Sequence, residues 1–240
     1  MNHTDAPVKA ILETYGIPKG SLIEPLDSGL INRTWKVTHG RQQFIFQKIN
    51  HHVFKKPFEV ASNIRMIDEY LKKHFPNYLF VSPVANLKRE DIVYSEEHGY
   101  FRLFPFIEGS HTIEMVSSPN QAYEASFQFG KFTKLLSGFD AVRLHTTIPD
   151  FHNLTLRYRQ FETSLQQGNS MRIRQSEQLI AELKKRTVIV DEFEIIKKSR
   201  QFRLRVTHHD TKISNVLFNA EEKGMCVIDL DTIMPGYFIS

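Results

Sequence analysis

The chain of 240 residues contains a single cysteine, Cys226. One thiol closes no internal disulfide, forms no CxxC pair and excludes a cysteine-rich metal centre, so a reducing compartment fits best and we expect a cytoplasmic protein. Long apolar runs are missing too. The most apolar segments, such as Met225 to Asp229, are far too short to span a bilayer, and no basic-then-apolar leader follows Met1. Charge of one sign is in short supply: 31 Lys and Arg against 27 Asp and Glu leave a formal charge of +4, well below the concentrated basic face of a dedicated nucleic-acid binder. Lys197, Lys198, Arg200, Arg203 and Arg205 crowd one stretch. No aromatic stacking pattern accompanies them, so they read as a solvated segment. Neither nucleic acid nor a membrane is an expected partner. Internal repeats and low-complexity segments are absent.

What is present is an ordinary globular composition, 41% hydrophobic and 24% charged. Asp5, Pro7 and the apolar series Val8, Ile11, Leu12 and Tyr15 predict a capped helix that stops at Gly16. Short β-branched and aromatic runs at Leu22-Ile23, Trp35-Lys36-Val37 and Phe44-Ile45-Phe46 predict an antiparallel meander. A helical period from Pro57 to His74 follows, then further strands at Ile92 to Tyr94 and Tyr100 to Phe106 around a turn at Glu97-His98-Gly99. Beyond Gly109 the character changes to long helical stretches at 120–136, 153–166 and 175–198. The segment from Val206 to Asp231 reads as two short strands joined by loops. The expected class is α+β, with an antiparallel sheet lobe at 1–106 and a helix-rich lobe at 107–240.

Chemistry concentrates near the end. His208-His209-Asp210-Thr211-Lys212-Ile213-Ser214-Asn215 is followed by Val227-Ile228-Asp229-Leu230-Asp231. Reduced to its polar skeleton this is His-x-Asp, an Asn five residues on, then an Asp ending an apolar strand. Phosphoryl transfer uses such a set: one carboxylate orients or accepts the proton of an attacking hydroxyl, while an amide oxygen and a second carboxylate hold Mg²⁺ against nucleotide phosphates. The spacing from Asp210 to Asn215 matches the protein-kinase catalytic loop, and Asp229 stands where a DFG motif would begin. DFG itself is replaced by Ile-Asp-Leu-Asp.

These segments resemble the aminoglycoside phosphotransferase and choline kinase superfamily. His-x-Asp-Thr-Lys-x-x-Asn-Val, joined to Val-Ile-Asp-Leu-Asp-Thr-x-Met-Pro-Gly, is similar to the branch containing N-acetylhexosamine 1-kinases. Gln47-Lys48-Ile49-Asn50 and Phe151-His152-Asn153 extend the likeness. The resemblance implies a bilobal kinase-like fold, ATP as co-substrate and Mg²⁺. It makes Asp210 the base and Asn215 and Asp229 the metal ligands, with Asp231 helping to hold the metal or a basic neighbour. His208 supports the loop. The implied acceptor is a small-molecule hydroxyl, above all the anomeric hydroxyl of an N-acetylhexosamine. Choline, an aminoglycoside or another sugar stands as the alternative within the class, and a non-catalytic nucleotide-binding module stands outside it. Relatives continue past the position of Ser240, so the helical lobe is expected to be incomplete.

Other positions follow the same resemblance. Ser28, Gly29, Asn32 and Thr34 lie in a turn similar to the family's nucleotide loop, where a glycine lets backbone N–H groups approach phosphate. Lys48 is the candidate phosphate cation, although a register change of one residue would turn Gln47 inward instead. Its usual partner is a helix carboxylate; Glu59 lies early in the helix, and Ser62 and Asn63 fill the centre. Phe104 and Phe106 sit in the strand expected to meet adenine. Arg143, His152 and Asn153 are candidates for the acceptor pocket.

Overall fold

Alternation of side chains organises the sheet. The computed structural model describes residues 5–26 and 31–239. Five strands, β1 (Leu22–Leu26), β2 (Arg33–His39), β3 (Gln42–Ile49), β4 (Val93–Ser95) and β5 (Gly99–Pro105), form an antiparallel sheet in the order β1-β2-β3-β5-β4. In β2, β3 and β5 the register aligns Trp35 with Phe46 and Leu103 on one face, and Thr34 with Gln47 and Arg102 on the other. The first face is apolar. Helix α1 (Asp5–Glu13) covers it, packing Val8, Ile11 and Leu12 against Val37, Phe46, Phe101 and Leu103. Phe46 and Phe101 stack there with ring centroids 5.4 Å apart. Fully burying side chains of this size stabilises by about 1.5–3 kcal/mol each, so this cluster fixes which face of each strand is which.

Helix α2 (Pro57–His74) begins at a proline, whose missing N–H costs nothing in the first turn. It buries Val60, Ala61, Ile64, Ile67 and Leu71, and ends on the basic Lys72, Lys73 and His74, which suit the negative end of the helix dipole. The same apolar face carries Asn63, 0% exposed. Its Nδ2 donates to the carbonyls of His145 and Ile233, both at 2.9 Å, and its Oδ1 accepts from the His145 N–H at 2.8 Å. After α3 (Pro119–Leu135), capped by Ser118, come β6 (Arg205–Thr207), β7 (Val216–Phe218), β8 (Gly224–Val227) and β9 (Met234–Gly236). Strand β6 pairs with β9 and β7 with β8. The segment from Val206 to Asp231 thus holds three short strands where the sequence predicts two. Cys226 is buried, which pushes its thiol up to about 12 and leaves it a small apolar residue of β8.

The chain forms two compact units, one from Met1–Thr147 with Arg205–Gly236 and the other from Ile148–Leu204 with Tyr237–Ser240. The sheet, α2, α3 and both small ladders belong to the first. The second contains α4 (Leu154–Gln167), α5 (Ser170–Gln175), α6 (Glu177–Lys185) and α7 (Val188–Lys198). The helical stretch expected over 175–198 is mostly helical and is divided between α6 and α7. Asn169 caps α5 by accepting from the N–H groups of Met171 and Arg172, Ser176 ends it, and the β-branched run Thr187-Val188-Ile189-Val190 follows a second break at Arg186. The α+β class and antiparallel sheet stand as expected. Among the described residues no helix is long and apolar enough to cross a membrane.

Candidate active site

Two ladders bring the expected residues together. The β6–β9 pairing aligns Thr207 with Met234, and the β7–β8 pairing aligns Val216 with Val227. The intervening segments, 208–215 and 228–233, therefore run side by side. The Ile228 N–H donates to the Asn215 carbonyl at 2.8 Å, which extends the second ladder by one step and leaves Asp229 next in line. Asn215 Nδ2 donates to both the backbone carbonyl and the Oδ2 of Asp210, each at 2.9 Å. Lys212 Nζ lies 3.2 Å from the same Oδ2.

The loop itself is held from inside. His208 is 4% exposed; its Nε2 lies 2.9 Å from the Ile228 carbonyl, and its Nδ1 accepts from the Asp210 N–H. That pair of partners assigns the proton to Nε2. Burial holds the imidazole below its ordinary pKa, so it is neutral and serves the loop's geometry. Thr232 Oγ1 donates to the His208 carbonyl and ties the second segment to the first. His209 and Asp229 both adopt left-handed backbone conformations, φ 65° and 58°. A non-glycine residue held there costs about 1–3 kcal/mol, and such positions gather at functional sites. Although Asp229 opens to solvent on one side, the protein packed around its carboxyl, and Asp231 beyond it, push its pKa up to about 6. Arg102 and Lys212 pull the other way.

Asp231 is occupied. Arg102 on β5 grips it through both terminal nitrogens, Nη1 to Oδ1 and Nη2 to Oδ2, and Asn32 Nδ2 adds a third bond at 2.9 Å. The ion pair is buried, with side-chain exposures of 3% and 2%. Gln47 Oε1 accepts from Arg102 Nε at 3.0 Å and Nη2 at 2.9 Å, while Gln47 Nε2 donates to Thr34 Oγ1 at 3.3 Å. Asn32 Oδ1 also receives the Asn50 N–H at 2.9 Å. Of the two residues the sequence left open, Gln47 shares the face of Arg102 and Asp231. Lys48 points to the opposite face, its Nζ 5.7 Å from the centre of the Phe101 ring. Glu59 pairs with Lys56 at the surface. The cation that reaches the carboxylate cluster from the sheet is thus Arg102, which sequence reasoning passed over. The visible signal was an arginine alternating with Phe101 and Leu103 in an apolar strand.

The remaining candidates divide. Phe104 lies on the face of Arg102, whose guanidinium stacks 4.9 Å from its ring centre, and Phe106 receives Lys36 at 4.4 Å. Ser28 and Gly29 lie outside the described residues. Arg143, exposed in a 3₁₀ turn (Ala141–Arg143), belongs to the larger unit, and His152 and Asn153 to the smaller. Asn153 caps α4, accepting from the Leu156 N–H and donating to Asp150.

A divalent cation fits the chemistry of the donor set. The amide nitrogen of Asn215 is committed to Asp210, which leaves its oxygen for a cation, and no hydrogen bond to the Asp229 carboxylate is formed among the described residues. Hard cations take such oxygens and fill the remaining positions with water and phosphate. Among the described residues no group of three or more His, Cys, Asp or Glu forms a preformed metal cage.

Solved structures share this fold. Spectinomycin phosphotransferase APH(9)-Ia, solved with ADP and spectinomycin, aligns with a TM-score of 0.62 at 17% identity, over 95% of this chain and 69% of its own. A microcompartment-associated aminopropanol kinase aligns at 0.63 and 14% identity, over 97% and 70%. The choline kinase LicA from Streptococcus pneumoniae aligns at 0.51 and 16% identity, over 98% and 70%. At these identities the likeness speaks for the fold. The sequence model of the phosphotransferase enzyme family matches residues 22–240, a span that takes in the sheet, the Asp210 loop and Asp229. This chain is a member of the phosphotransferase enzyme family.

Proposed function

We propose that the protein transfers the γ-phosphoryl group of ATP to a hydroxyl of a small molecule, with the anomeric hydroxyl of an N-acetylhexosamine as the favoured acceptor. One observation carries the reading: Asn215 bonds Asp210 at both its carbonyl and its carboxylate, while the ladder that begins at Asn215 brings Asp229 alongside. Asp210 is the base. Its carboxylate accepts the proton of the acceptor hydroxyl as the new O–P bond forms and the bond between the γ-phosphorus and the bridging oxygen breaks, with ADP as the leaving group. Asn215 Oδ1 and Asp229 would hold Mg²⁺, which when bound neutralises the phosphate oxygens. Lys212, 3.2 Å from Asp210 Oδ2 and 48% exposed, steadies the base and sets a positive charge beside it. His208, neutral and internal, keeps the loop in place. The polar face of the sheet, with Phe104 and Phe106 along β5 and beyond, suits a flat heterocycle.

The acceptor reading rests on sequence likeness in Thr211-Lys212 and Met234-Pro235-Gly236. The test is ADP release with ATP, Mg²⁺ and a panel of N-acetylglucosamine, N-acetylgalactosamine, choline and aminoglycosides. Turnover with the two hexosamines alone supports the full reading. Turnover with another member of the panel keeps the transfer and replaces the acceptor. Asp210→Asn should lower kcat by about 10²- to 10⁴-fold while leaving ATP binding largely intact. Full turnover in that variant removes the base, and nucleotide binding without ADP formation favours a binding module.

A further inference from the structure

We infer that Arg102 is a positioning residue for the metal-binding turn, joining β5, Asn32 ahead of β2, and Asp229 into one unit. This rests on the reading of Asn215 and Asp229 as cation ligands. Asp229 takes a left-handed conformation and enters a 3₁₀ turn, Leu230–Thr232, in which Asp231 is the second residue. That turn is held from separate directions: Arg102 and Asn32 at Asp231, His208 at Thr232, and α2 through Asn63 at Ile233. Only the first of these reaches the polar face of the sheet.

A buried ion pair is a poor way to gain stability, since desolvation offsets most of the attraction and an apolar pair of similar volume often does as well. Its use is directional. The planar guanidinium matches a carboxylate at two points and so fixes Asp231 in orientation as well as distance. Gln47 accepts from two of the remaining donor positions of the guanidinium and holds the fork from behind. Asn32 reads the result on the other side: its amide spans Asp231 Oδ2 and the Asn50 N–H, linking the residue just ahead of β2 to the end of β3. Asp231 is thereby occupied as an anchor, with Asp229 left as the carboxylate for the cation. The network takes over the link between sheet and metal turn that Lys48, on the opposite face, cannot provide.

The test is binding of Mn²⁺ together with the non-hydrolysable analogue AMP-PNP, measured by calorimetry on the full chain, so that it does not depend on turnover. Arg102→Met should weaken Mn²⁺ at least tenfold with a smaller change in affinity for AMP-PNP alone. If Asp231 were itself a ligand, freeing it from Arg102 would preserve or tighten Mn²⁺ binding, and that result overturns the inference. Arg102→Lys keeps the charge but loses the fork. Should Arg102→Met fail to fold, Arg102→Lys must still show weakened Mn²⁺ binding with a cooperative melting transition, and parental binding in that variant overturns the inference equally. Asp229→Asn separates the two levels: unchanged Mn²⁺ binding there removes the metal-site reading itself, whatever Arg102 does.

Discussion

Replacing Asn63 by alanine removes a side chain that is 0% exposed and makes three hydrogen bonds, at 2.9, 2.9 and 2.8 Å. Each bond contributes about 0.5–1.5 kcal/mol net. The deletion also leaves the buried Ile233 carbonyl and the partly buried N–H and carbonyl of His145 without this partner, so we expect a loss of about 3 kcal/mol. For a chain of this length each kcal/mol lowers the melting temperature by roughly 2–4 °C, which places the shift at about 6–12 °C in a thermal melt followed by circular dichroism. Asn63→Asp should be worse. It keeps an acceptor for the His145 N–H but sets a carboxylate oxygen against the carbonyls of His145 and Ile233, where the amide had donated. A fall below about 2 °C for alanine, or aspartate proving milder than alanine, refutes the account of α2 as a clamp on the segment after Asp231.

Other outcomes follow from the same geometry. His208 is held below its ordinary pKa by burial, so the unfolded chain takes up a proton before the folded one does. The stability this gives is complete above the unfolded value of 6.5 and falls as the pH drops from there toward the folded pKa, by up to about 1.4 kcal/mol per pH unit. Urea melts from pH 7.5 to 5.5 should show a shallower pH dependence for His208→Gln than for the parent, and equal slopes would refute the assignment. In Gly236→Ala the new Cβ would stand 2.5 Å from His209 Cε1 and 2.9 Å from Thr207 Oγ1. His209 is buried and its backbone is left-handed, so the ring has little room to yield. A cost of about 1–3 kcal/mol is expected, with kcat falling more than nucleotide affinity because Asp210 is the next residue. Unchanged stability and turnover would show that the ring yields freely.

Much of the fold was legible because it depends on local pattern. The strand runs around Trp35 and Phe46 and the helical period from Pro57 announce themselves within short windows, and the motif from His208 to Asn215 fixes its own internal geometry. Parity in β3 was not legible. Gln47 and Lys48 are both polar, and only α1 packing on Phe46 and Phe101 decides which of them turns toward Asp231. Arg102 was hidden for a related reason: its partner lies 129 positions away along the chain, so an arginine between two apolar residues of a strand hinted at a buried role without naming what it meets. The positions of the breaks at Ser176 and Arg186 were not legible, because the residues around them still keep a helical apolar period.

The placement of Arg102 between Phe101 and Leu103 also makes β5 intolerant of changes in length. Inserting or deleting one residue ahead of position 102 would rotate the guanidinium into the cluster of Phe46 and Val37, and present an aliphatic side chain to Asp231. Exchanges at other positions of the strand leave its alternation in place, whereas an indel inverts the whole strand at once. Natural variation in this segment should therefore run to substitutions, with gaps confined to the turns on either side.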